Sequence, residues 1–317
     1  FKHDSLFIMK GRKNMAKKIG LVGIYFPGAY DALHENVPEG FELVDALSPE
    51  AYSNLADCEY LISRLDIDPD IINHTPNVKF WQRWGAGFDH VDLKAWGERG
   101  IPIATCPGVN SGIVAELAIM LMLAGYRNLL QINRQLRAGH WPRTEYFGRS
   151  FMIKGKTVGV LGLGHIGKKV AALATAFGAN VIYYDIVRQT EQEEKFGYRF
   201  VDFDTLLRES DIYTIHCPLN EETRGMIGAE QFAQMKPTAM LINTARGPIV
   251  DEAALIDALT TGKIATAGLD TYEREPLPKD HPLLTLDNVV ASAHAGGNTK
   301  DNDINMEAAE FQLTSQG

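Results

Sequence analysis

Cysteine is scarce in this 317-residue sequence, and neither a low-complexity tract nor an excess of positive charge is present. The three cysteines, Cys58, Cys106 and Cys217, form no Cys-x-x-Cys pair and no metal-ligand spacing. This scarcity argues against a disulfide scaffold and a zinc site, and it indicates a reducing, cytoplasmic setting. We therefore expect no metal centre.

Long hydrophobic runs are also missing. The longest apolar stretch, IVAELAIMLMLAGY at residues 113–126, contains Glu116 and falls short of the ~20 residues that span a bilayer. It is typical of a buried helix. Residues 1–14 have an apolar core of only four residues, Leu6 to Met9, and no small-residue cleavage site, so we interpret them as an N-terminal extension rather than a secretion signal.

The charge balance restricts the class of partner. Lys and Arg total 31 against 40 Asp and Glu, a formal net charge of -9. Such a chain is repelled by nucleic acid and by anionic membranes. The expected partner is a small molecule, with no nucleic acid and no membrane.

The length and the order of elements predict the fold class. A chain of 317 residues exceeds one comfortable core and suggests two domains. From residue 155 onward, short β-branched runs alternate with helical patterns, as in KTVGVLGLG followed by KKVAALATAFG and NVIYYD. This alternation predicts an α/β protein with a mostly parallel sheet.

Polar or special residues follow five of the predicted strands. Because ligands of such sheets bind beyond the carboxyl ends of the strands, these residues predict one binding edge. The residues concerned are Asp185, Cys217 with Pro218, Thr244 with Arg246, Asp270 and His294.

The first strand-to-helix turn carries a dinucleotide motif. Its sequence GLGHIG places glycine at 162, 164 and 167, and Asp185 ends the next strand 23 residues beyond Gly162. The glycines permit a tight turn, a close approach to pyrophosphate and helix-to-strand packing, while the acid binds the adenine ribose. The motif predicts NAD; Asp185 disfavours NADP by repelling its 2'-phosphate, and Arg188 keeps NADP open as the second choice.

Several stretches together resemble the D-isomer-specific 2-hydroxyacid dehydrogenase family, which includes glyoxylate/hydroxypyruvate reductases and phosphoglycerate dehydrogenases. The resemblance covers nearly the whole chain from Met15. It is carried by WGAGFDHVDL, CPGVNSGIVAELAIMLML, GKTVGVLGLGHIGKKVA, LLRESDIYTIHCPLNEETRGMI, LINTARGPIVDEAALIDAL, AGLDTYEREP and ASAHAGGNT.

The resemblance implies two Rossmann-like α/β domains with the active site in the cleft between them. The catalytic domain would comprise residues 15–112 and 295–317, and the NAD domain residues 113–294. It further implies a homodimer, with Trp141 of one subunit bordering the substrate of the other.

The resemblance also assigns the chemistry. Arg246 is the binder of substrate carboxylate and carbonyl, His294 the acid/base, and Glu275 its acidic partner. This agrees with what reduction of a 2-keto acid needs: a proton donor, a cation for the carboxylate, and a cofactor that carries hydride. One departure is Ala293, where proline commonly precedes the family's histidine.

Further contacts are expected around these three residues. The substrate carboxylate meets backbone amides of the loop at Gly85, where Ala86 and Gly87 are expected contacts, and Arg64 suits a polar or phosphorylated substrate group. The expected cofactor residues are Gly162, Gly164, His165, Ile166, Gly167, Asp185, Cys217, Pro218, Thr223, Thr244, Ala245, Arg246, Asp270, His294 and Gly296.

Two other functions remain open at this point. Formate dehydrogenases resemble this chain but carry Gln in place of His294, because formate oxidation needs no proton acceptor. Corepressors of the same fold sense NAD(H) and act through protein partners, and they retain much of the site. Glyoxylate, hydroxypyruvate and 3-phosphoglycerate-type compounds are the substrates that the resemblance suggests.

Overall fold

The computed structural model describes residues 16–301, except residues 26, 65, 66, 86 and 90. These residues form two compact units, one ending at Val109 and the other beginning at Asn110. The predicted extension at residues 1–14, the segment from residue 302 to the end, and Ala86 lie outside the described residues. The assignment of a catalytic domain and an NAD domain, with a cleft between them, remains a prediction.

The first unit contains one five-stranded sheet. Its strands are β1 (Lys17–Gly23), β2 (Phe41–Ala46), β3 (Tyr60–Arg64), β4 (Phe80–Arg83) and β5 (Ile103–Ala104). All pairs are parallel, in the order β2-β1-β3-β4-β5. The connections include helices α1 (Pro27–Glu35) and α2 (Leu93–Glu98) and the 3-10 helices Pro49–Asp57 and Pro69–His74.

The second unit is built on a seven-stranded sheet. Its strands are β6 (Thr157–Leu161), β7 (Asn180–Tyr184), β8 (Arg199–Phe200), β9 (Ile212–Ile215), β10 (Met240–Asn243), β11 (Thr266–Leu269) and β12 (Val289–Ala291). All pairs are parallel, in the order β12-β11-β10-β9-β6-β7-β8. The chain leaves β6 toward β7 and later returns to its other side at β9, so the sheet has the reversal point where such folds bind ligands.

Seven α-helices belong to the second unit within the described residues; the first two precede β6, and the other five connect successive strands from β6 to β11. They are α3 (Ser111–Tyr126), α4 (Leu129–Arg137), α5 (His165–Ala176), α6 (Thr190–Phe196), α7 (Phe203–Glu209), α8 (Ala229–Gln234) and α9 (Glu252–Thr260). Two short 3-10 helices span Gly247–Ile249 and Pro282–Leu284.

Apolar side chains of the second sheet alternate between two cores. Leu161 and Leu241 pack into one cluster, whereas Val160 and Ile242, their neighbours along the same strands, pack into the other. Successive side chains of a strand point to opposite faces, so both faces of this sheet are covered, as parallel sheets require. The predicted α/β class with mostly parallel sheets is confirmed.

The apolar stretch at 113–126 forms most of α3, as expected. Nine of the sixteen residues of this helix are buried, which fits the interpretation as a core helix. Among the described residues, no single helix is long and apolar enough to cross a membrane, although α3 and α4, bent by 62°, meet the criterion together on length and composition.

Candidate active site

His294 lies three residues beyond β12, on a turn that holds it in an uncommon backbone conformation. Its φ is 49°, in the left-handed region that non-glycine residues rarely adopt. The His294 N–H donates to the Asp270 carbonyl oxygen at 2.8 Å. The imidazole Nδ1 lies 2.6 Å from Oε2 of Glu275, so the acid/base and the acidic partner named by the resemblance are in direct contact.

The pair shifts the titration of both groups. The hydrogen bond that the imidazole donates to Glu275 raises the pKa of His294, and this outweighs the opposing effect of burial. Burial of the Glu275 carboxyl raises its pKa, but the bonds from His294 and from the Tyr272 N–H more than compensate, so the net shift of this pKa is downward. The arrangement favours an imidazolium beside a carboxylate, the state that can deliver a proton.

Asp270 fixes the turn that carries His294. Its carboxylate, on a residue that is 1% exposed, accepts from the Ser292 hydroxyl at 2.6 Å, from the Ala295 N–H at 2.8 Å and from the Gly296 N–H at 2.9 Å. Three hydrogen bonds satisfy a buried anion well. In the described residues Asp270 therefore braces the histidine turn; a contact with cofactor remains a prediction for Asp270 and Gly296.

The loop after β11 places Glu275. The Tyr272 N–H donates to Glu275 Oε1 at 2.9 Å, and the Tyr272 hydroxyl donates to the Ser292 carbonyl at 2.7 Å. A Cβ added to Gly247 would lie 1.9 Å from the Tyr272 carbonyl carbon, so the loop rests directly on this glycine. The sequence reasoning missed Tyr272 and Ser292, whose only signal was their position at the strand ends.

Arg246 follows β10 in a segment whose backbone is held by hydrogen bonds to the Asn243 side chain. Asn243 accepts from the Ala245 N–H at 3.0 Å and donates to the Arg246 carbonyl at 2.9 Å. The Arg246 Nη1 donates to the Ala245 carbonyl at 2.7 Å. Its charge lowers the pKa of both His294 and Glu275, which places the guanidinium within electrostatic range of the pair. Asn243 is a second residue that the sequence reasoning did not single out.

The glycine turn has the close approaches that the motif predicts. Gly162 has φ of 89°, and a Cβ there would lie 2.8 Å from the Cys217 nitrogen. A Cβ on Gly167 would lie 2.1 Å from the Gly162 carbonyl oxygen, whereas one on Gly164 would meet nothing within 4 Å. Gly162 and Gly167 therefore allow close backbone contacts within the protein. Gly164 leaves open space at the start of α5, where His165 and Ile166 are the first helical residues.

Asp185 directly follows β7 and reaches back to this turn. Its carboxylate accepts from the Leu163 N–H at 2.7 Å and from the Val187 N–H at 3.2 Å. Each carboxylate oxygen can accept more than one bond, so both retain capacity for the ribose hydroxyls that the sequence assigns to it.

Two buried hydroxyls at this edge lack partners within the described residues. They belong to Thr244, after β10, and Thr271, after β11. A buried polar atom without a partner costs free energy unless a ligand or water satisfies it. With the open space at Gly164, these hydroxyls make the edge fit a dinucleotide. Thr271 was not predicted.

The loop after β9 carries three further predicted cofactor residues. Burial raises the pKa of the Cys217 thiol to about 11, so this cysteine is neutral. The Thr223 hydroxyl donates to the Pro218 carbonyl at 2.7 Å and so closes the turn between these residues. Their contact with a cofactor is untested.

The first unit holds the other predicted substrate residues. Arg64 ends β3 and is 5% exposed, with its guanidinium carbon 5.8 Å from the centre of the Trp84 ring. Arg83, which the sequence reasoning missed, ends β4, is 7% exposed and directs Nη2 to the Gly87 carbonyl at 3.4 Å. Two buried arginines thus end neighbouring strands of this sheet. No grouping of three potential metal-binding side chains was found among the residues described.

Comparison with known proteins identifies the family. Residues 119–296 match the model of the D-isomer specific 2-hydroxyacid dehydrogenase NAD binding domain. The chain is 42% identical over 255 residues to a glyoxylate reductase of Thermofilum pendens, covering 79% of this chain and 75% of that protein. The chain belongs to the D-isomer specific 2-hydroxyacid dehydrogenase family.

Two further similarities set the scope of this assignment. The chain is 43% identical over 244 residues to a D-3-phosphoglycerate dehydrogenase of Archaeoglobus fulgidus, but this match covers 77% of the chain and only 46% of that relative. The solved structure of an NAD-dependent formate dehydrogenase from Staphylococcus aureus, in complex with NAD, superposes with a TM-score of 0.83 at 28% identity, over 94% of this chain and 95% of that one. The predicted resemblance, the class of NAD-dependent dehydrogenase and the NAD cofactor are confirmed.

Proposed function

We propose that this protein interconverts a small 2-keto acid and its D-2-hydroxy acid, with His294 as the acid/base and Arg246 as the carboxylate binder. The observation that carries the proposal is the 2.6 Å contact between His294 Nδ1 and Glu275 Oε2. A bare fold likeness would not distinguish a dehydrogenase of hydroxy acids from one of formate. A histidine whose pKa is raised by its contact with the Glu275 carboxylate does distinguish them, because only the first reaction has a proton to transfer.

The chemistry of the pair determines which nitrogen faces the substrate. With Nδ1–H directed to Glu275, Nε2 is the nitrogen left to protonate the carbonyl oxygen during reduction and to take the hydroxyl proton during oxidation. Glu275 stays ionised and stabilises the imidazolium, so the ring keeps one orientation throughout. The bound nicotinamide cofactor supplies the hydride in one direction and accepts it in the other.

Arg246 supplies the second requirement. Its planar guanidinium can bind a carboxylate through two hydrogen bonds, which aligns the neighbouring carbonyl with the acid. The hydrogen bonds to the Asn243 side chain hold the backbone that carries it.

The substrate is of the glyoxylate, hydroxypyruvate or 3-phosphoglycerate type. The relatives' names support these compounds, and Arg64 with Arg83 provides cations in the first unit for a polar or phosphorylated substituent. Reduction of glyoxylate, hydroxypyruvate, pyruvate, phenylpyruvate and 3-phosphohydroxypyruvate with NADH tests the proposal. Turnover of at least one small keto acid is expected; inactivity on the whole panel, with NADH still binding, would favour the NAD(H)-sensing corepressor function.

The functional assembly in this proposal is a homodimer. Trp141 is 78% exposed and Phe147 73% exposed, and both line a surface cavity of about 390 Å³ with Leu136 and Tyr146. Large exposed apolar side chains grouped in this way are typical of an interface. The occupant we propose is a second copy of the chain, with Trp141 bordering the partner's substrate.

The cellular setting belongs to the same proposal. The three cysteines, all within the described residues, form no disulfide, which favours the reducing cytoplasm.

A further inference from the structure

Arg188 is the cation nearest in sequence to Asp185, the predicted ribose binder. It lies three residues after Asp185, in the turn between β7 and α6. In dinucleotide-binding folds an arginine near the ribose site accommodates the 2'-phosphate, whereas an acid in this place selects NAD. This chain carries both residues, so the contacts of Arg188 determine how strongly NAD is preferred over NADP.

The structure shows Arg188 engaged elsewhere. Its Nε donates to Oε1 of Glu193, and its Nη2 donates to Oε2 of Glu193, each at 2.8 Å. This is the two-bond geometry in which a guanidinium and a carboxylate match best. The Arg188 guanidinium carbon also lies 5.4 Å from the centre of the Phe200 ring, so the side chain is held on two sides.

Glu193 is itself fixed by the core. The hydroxyl of Tyr183, a fully buried residue of β7, donates to Glu193 Oε1 at 2.7 Å and accepts from the Gln189 N–H at 2.8 Å. The carboxylate is thereby tied to the sheet and to the residue that precedes α6. Hydrogen bonds from Arg188 and Tyr183 lower the pKa of Glu193 to about 2, so near neutral pH the arginine faces a charged carboxylate.

Stability alone is a weak reason for this arrangement. The Arg188 side chain is 59% exposed, and ion pairs with an exposed member contribute little to folding. The pair has a larger consequence for binding, because a ligand that needs a free Arg188 must first break both hydrogen bonds. Its apparent affinity falls by the fraction of molecules in which the arginine is free.

We propose that Glu193 determines cofactor specificity by holding Arg188 away from the 2'-phosphate of NADP. The inference rests on the proposed ribose site at Asp185. The Asp185 carboxylate repels the 2'-phosphate. Glu193 weakens NADP binding further, because it binds the arginine that would offset this repulsion. Asp185 and Glu193 therefore both favour NAD over NADP, Asp185 by repelling the phosphate and Glu193 by binding Arg188.

The test compares Glu193→Gln with Glu194→Gln. Both variants remove one negative charge from α6, but Glu194 is an exposed neighbour outside the pair. Direct titration of the full-length protein with NADPH and with NADH, followed by cofactor fluorescence, gives both affinities without turnover. We expect Glu193→Gln to bind NADPH about three- to tenfold more tightly than wild type with NADH affinity unchanged, and Glu194→Gln to change neither.

Arg188 is then removed to show that it causes the gain. Arg188→Ala alone is expected to leave NADPH affinity nearly unchanged, and Glu193→Gln with Arg188→Ala is expected to lose the gain. An equal gain in Glu193→Gln and Glu194→Gln, or a gain that survives loss of Arg188, would overturn the inference, because the effect would then be general charge.

A variant at Asp185 separates this inference from the site on which it rests. If Asp185→Ala changes the ratio of NADH to NADPH affinity but Glu193→Gln does not, the ribose site stands and the role of Glu193 is wrong. If neither variant changes the ratio, the cofactor ribose lies elsewhere and both proposals fail.

Discussion

The proposed role of His294 as proton donor depends on its contact with Glu275, which lies on a different loop. His294 lies 19 positions after Glu275, and each lies beyond the end of a different strand. The histidine and the glutamate could be predicted because they match a family motif and because parallel strands deliver their carboxyl ends to one edge.

Replacing His294 by Gln is expected to lower turnover in keto-acid reduction by about two to four orders of magnitude, the usual contribution of a positioned acid. NADH affinity should change little, because the predicted cofactor contacts lie mainly at the glycine turn and Asp185. Steady-state reduction and NADH titration of the variant measure the two effects. His34→Gln, in an exposed His–Asp pair of the first unit, is the control and should behave as wild type; near-normal turnover of His294→Gln would remove this residue from the mechanism.

The pH profile tests Glu275. Because the pKa of His294 is raised above its ordinary value of 6.5, the protonated form persists above that pH. The rate of reduction should fall as the pH rises through the raised pKa, and the rate of oxidation should rise over the same range. In Glu275→Gln the charge that raises the pKa is gone, so the midpoint of kcat/KM against pH should move to lower pH. An unmoved midpoint in that variant would mean that another group controls the profile.

Other residues of the site could not be predicted from the sequence. Asn243, Tyr272 and Ser292 act through hydrogen bonds to backbone or carboxylate groups brought near by folding. Their residue types are ordinary in strand ends and turns. Arg188 illustrates the same limit: the sequence places a cation beside the ribose acid, and only the structure shows that Glu193 binds it.

At the scale of elements, the glycines of the turn between β6 and α5 are expected to have different roles, Gly167 in packing and Gly164 in cofactor binding. The strand-to-helix unit from β6 to α5 was predicted because its glycines, its apolar strand and its following acid all agree. By contrast, α6 and the two-residue strand β8 were not predicted, since their short sequences contain too little apolar periodicity to indicate an element. Helix α4 was also not predicted, although Leu129, Ile132 and Leu136 recur at helical spacing in it.

The glycines at 164 and 167 are expected to differ when each is changed to Ala. Gly167→Ala places a methyl group against the Gly162 carbonyl and should lower the free energy of unfolding by about 1–3 kcal/mol, as overpacking does. Gly164 has an ordinary φ of -78° and open space around it, so Gly164→Ala should cost only the loss of a glycine N-cap, about 0.5–1 kcal/mol. It should weaken NADH binding about tenfold or more by filling the pyrophosphate approach.

Denaturant unfolding and NADH titration of these two glycine variants distinguish the effects, and each variant is the other's control. Equal losses of stability in both would show that Gly164 also packs against the protein. A Gly164→Ala protein with unchanged NADH affinity would place the pyrophosphate away from this turn.

At the scale of the whole molecule, the sequence predicted two domains and a parallel sheet, since length and alternation alone indicate them. Assembly was accessible only through the family resemblance. The sequence does not show which aromatic side chains of the segment after α4 are exposed, so the structure adds the exposure of Trp141 and Phe147.

The exposed aromatic side chains Trp141 and Phe147 are predicted to lie in the homodimer interface. Light scattering should give twice the chain mass of 35.1 kDa. Phe147→Asp, which would bury an unpaired charge in an apolar interface, should shift the protein toward monomer. Phe196→Asp is the matched control, because Phe196 is also an exposed aromatic, 44% accessible, but lies on α6. A monomeric wild-type protein would contradict the homodimer.

A variant of Trp141 distinguishes a role in dimer formation from a role beside the partner's substrate. Trp141→Ala removes the most exposed aromatic of the patch and, in the proposed dimer, enlarges the space beside the partner's keto acid. The ratio of kcat/KM for phenylpyruvate to that for glyoxylate should therefore rise, by about tenfold for a gain of 1–2 kcal/mol in accommodated apolar contact. Phe147→Asp should give the same change only in proportion to its loss of dimer, because the tryptophan acts from the neighbouring subunit. An unaltered ratio in a dimeric Trp141→Ala protein would confine this tryptophan to the interface.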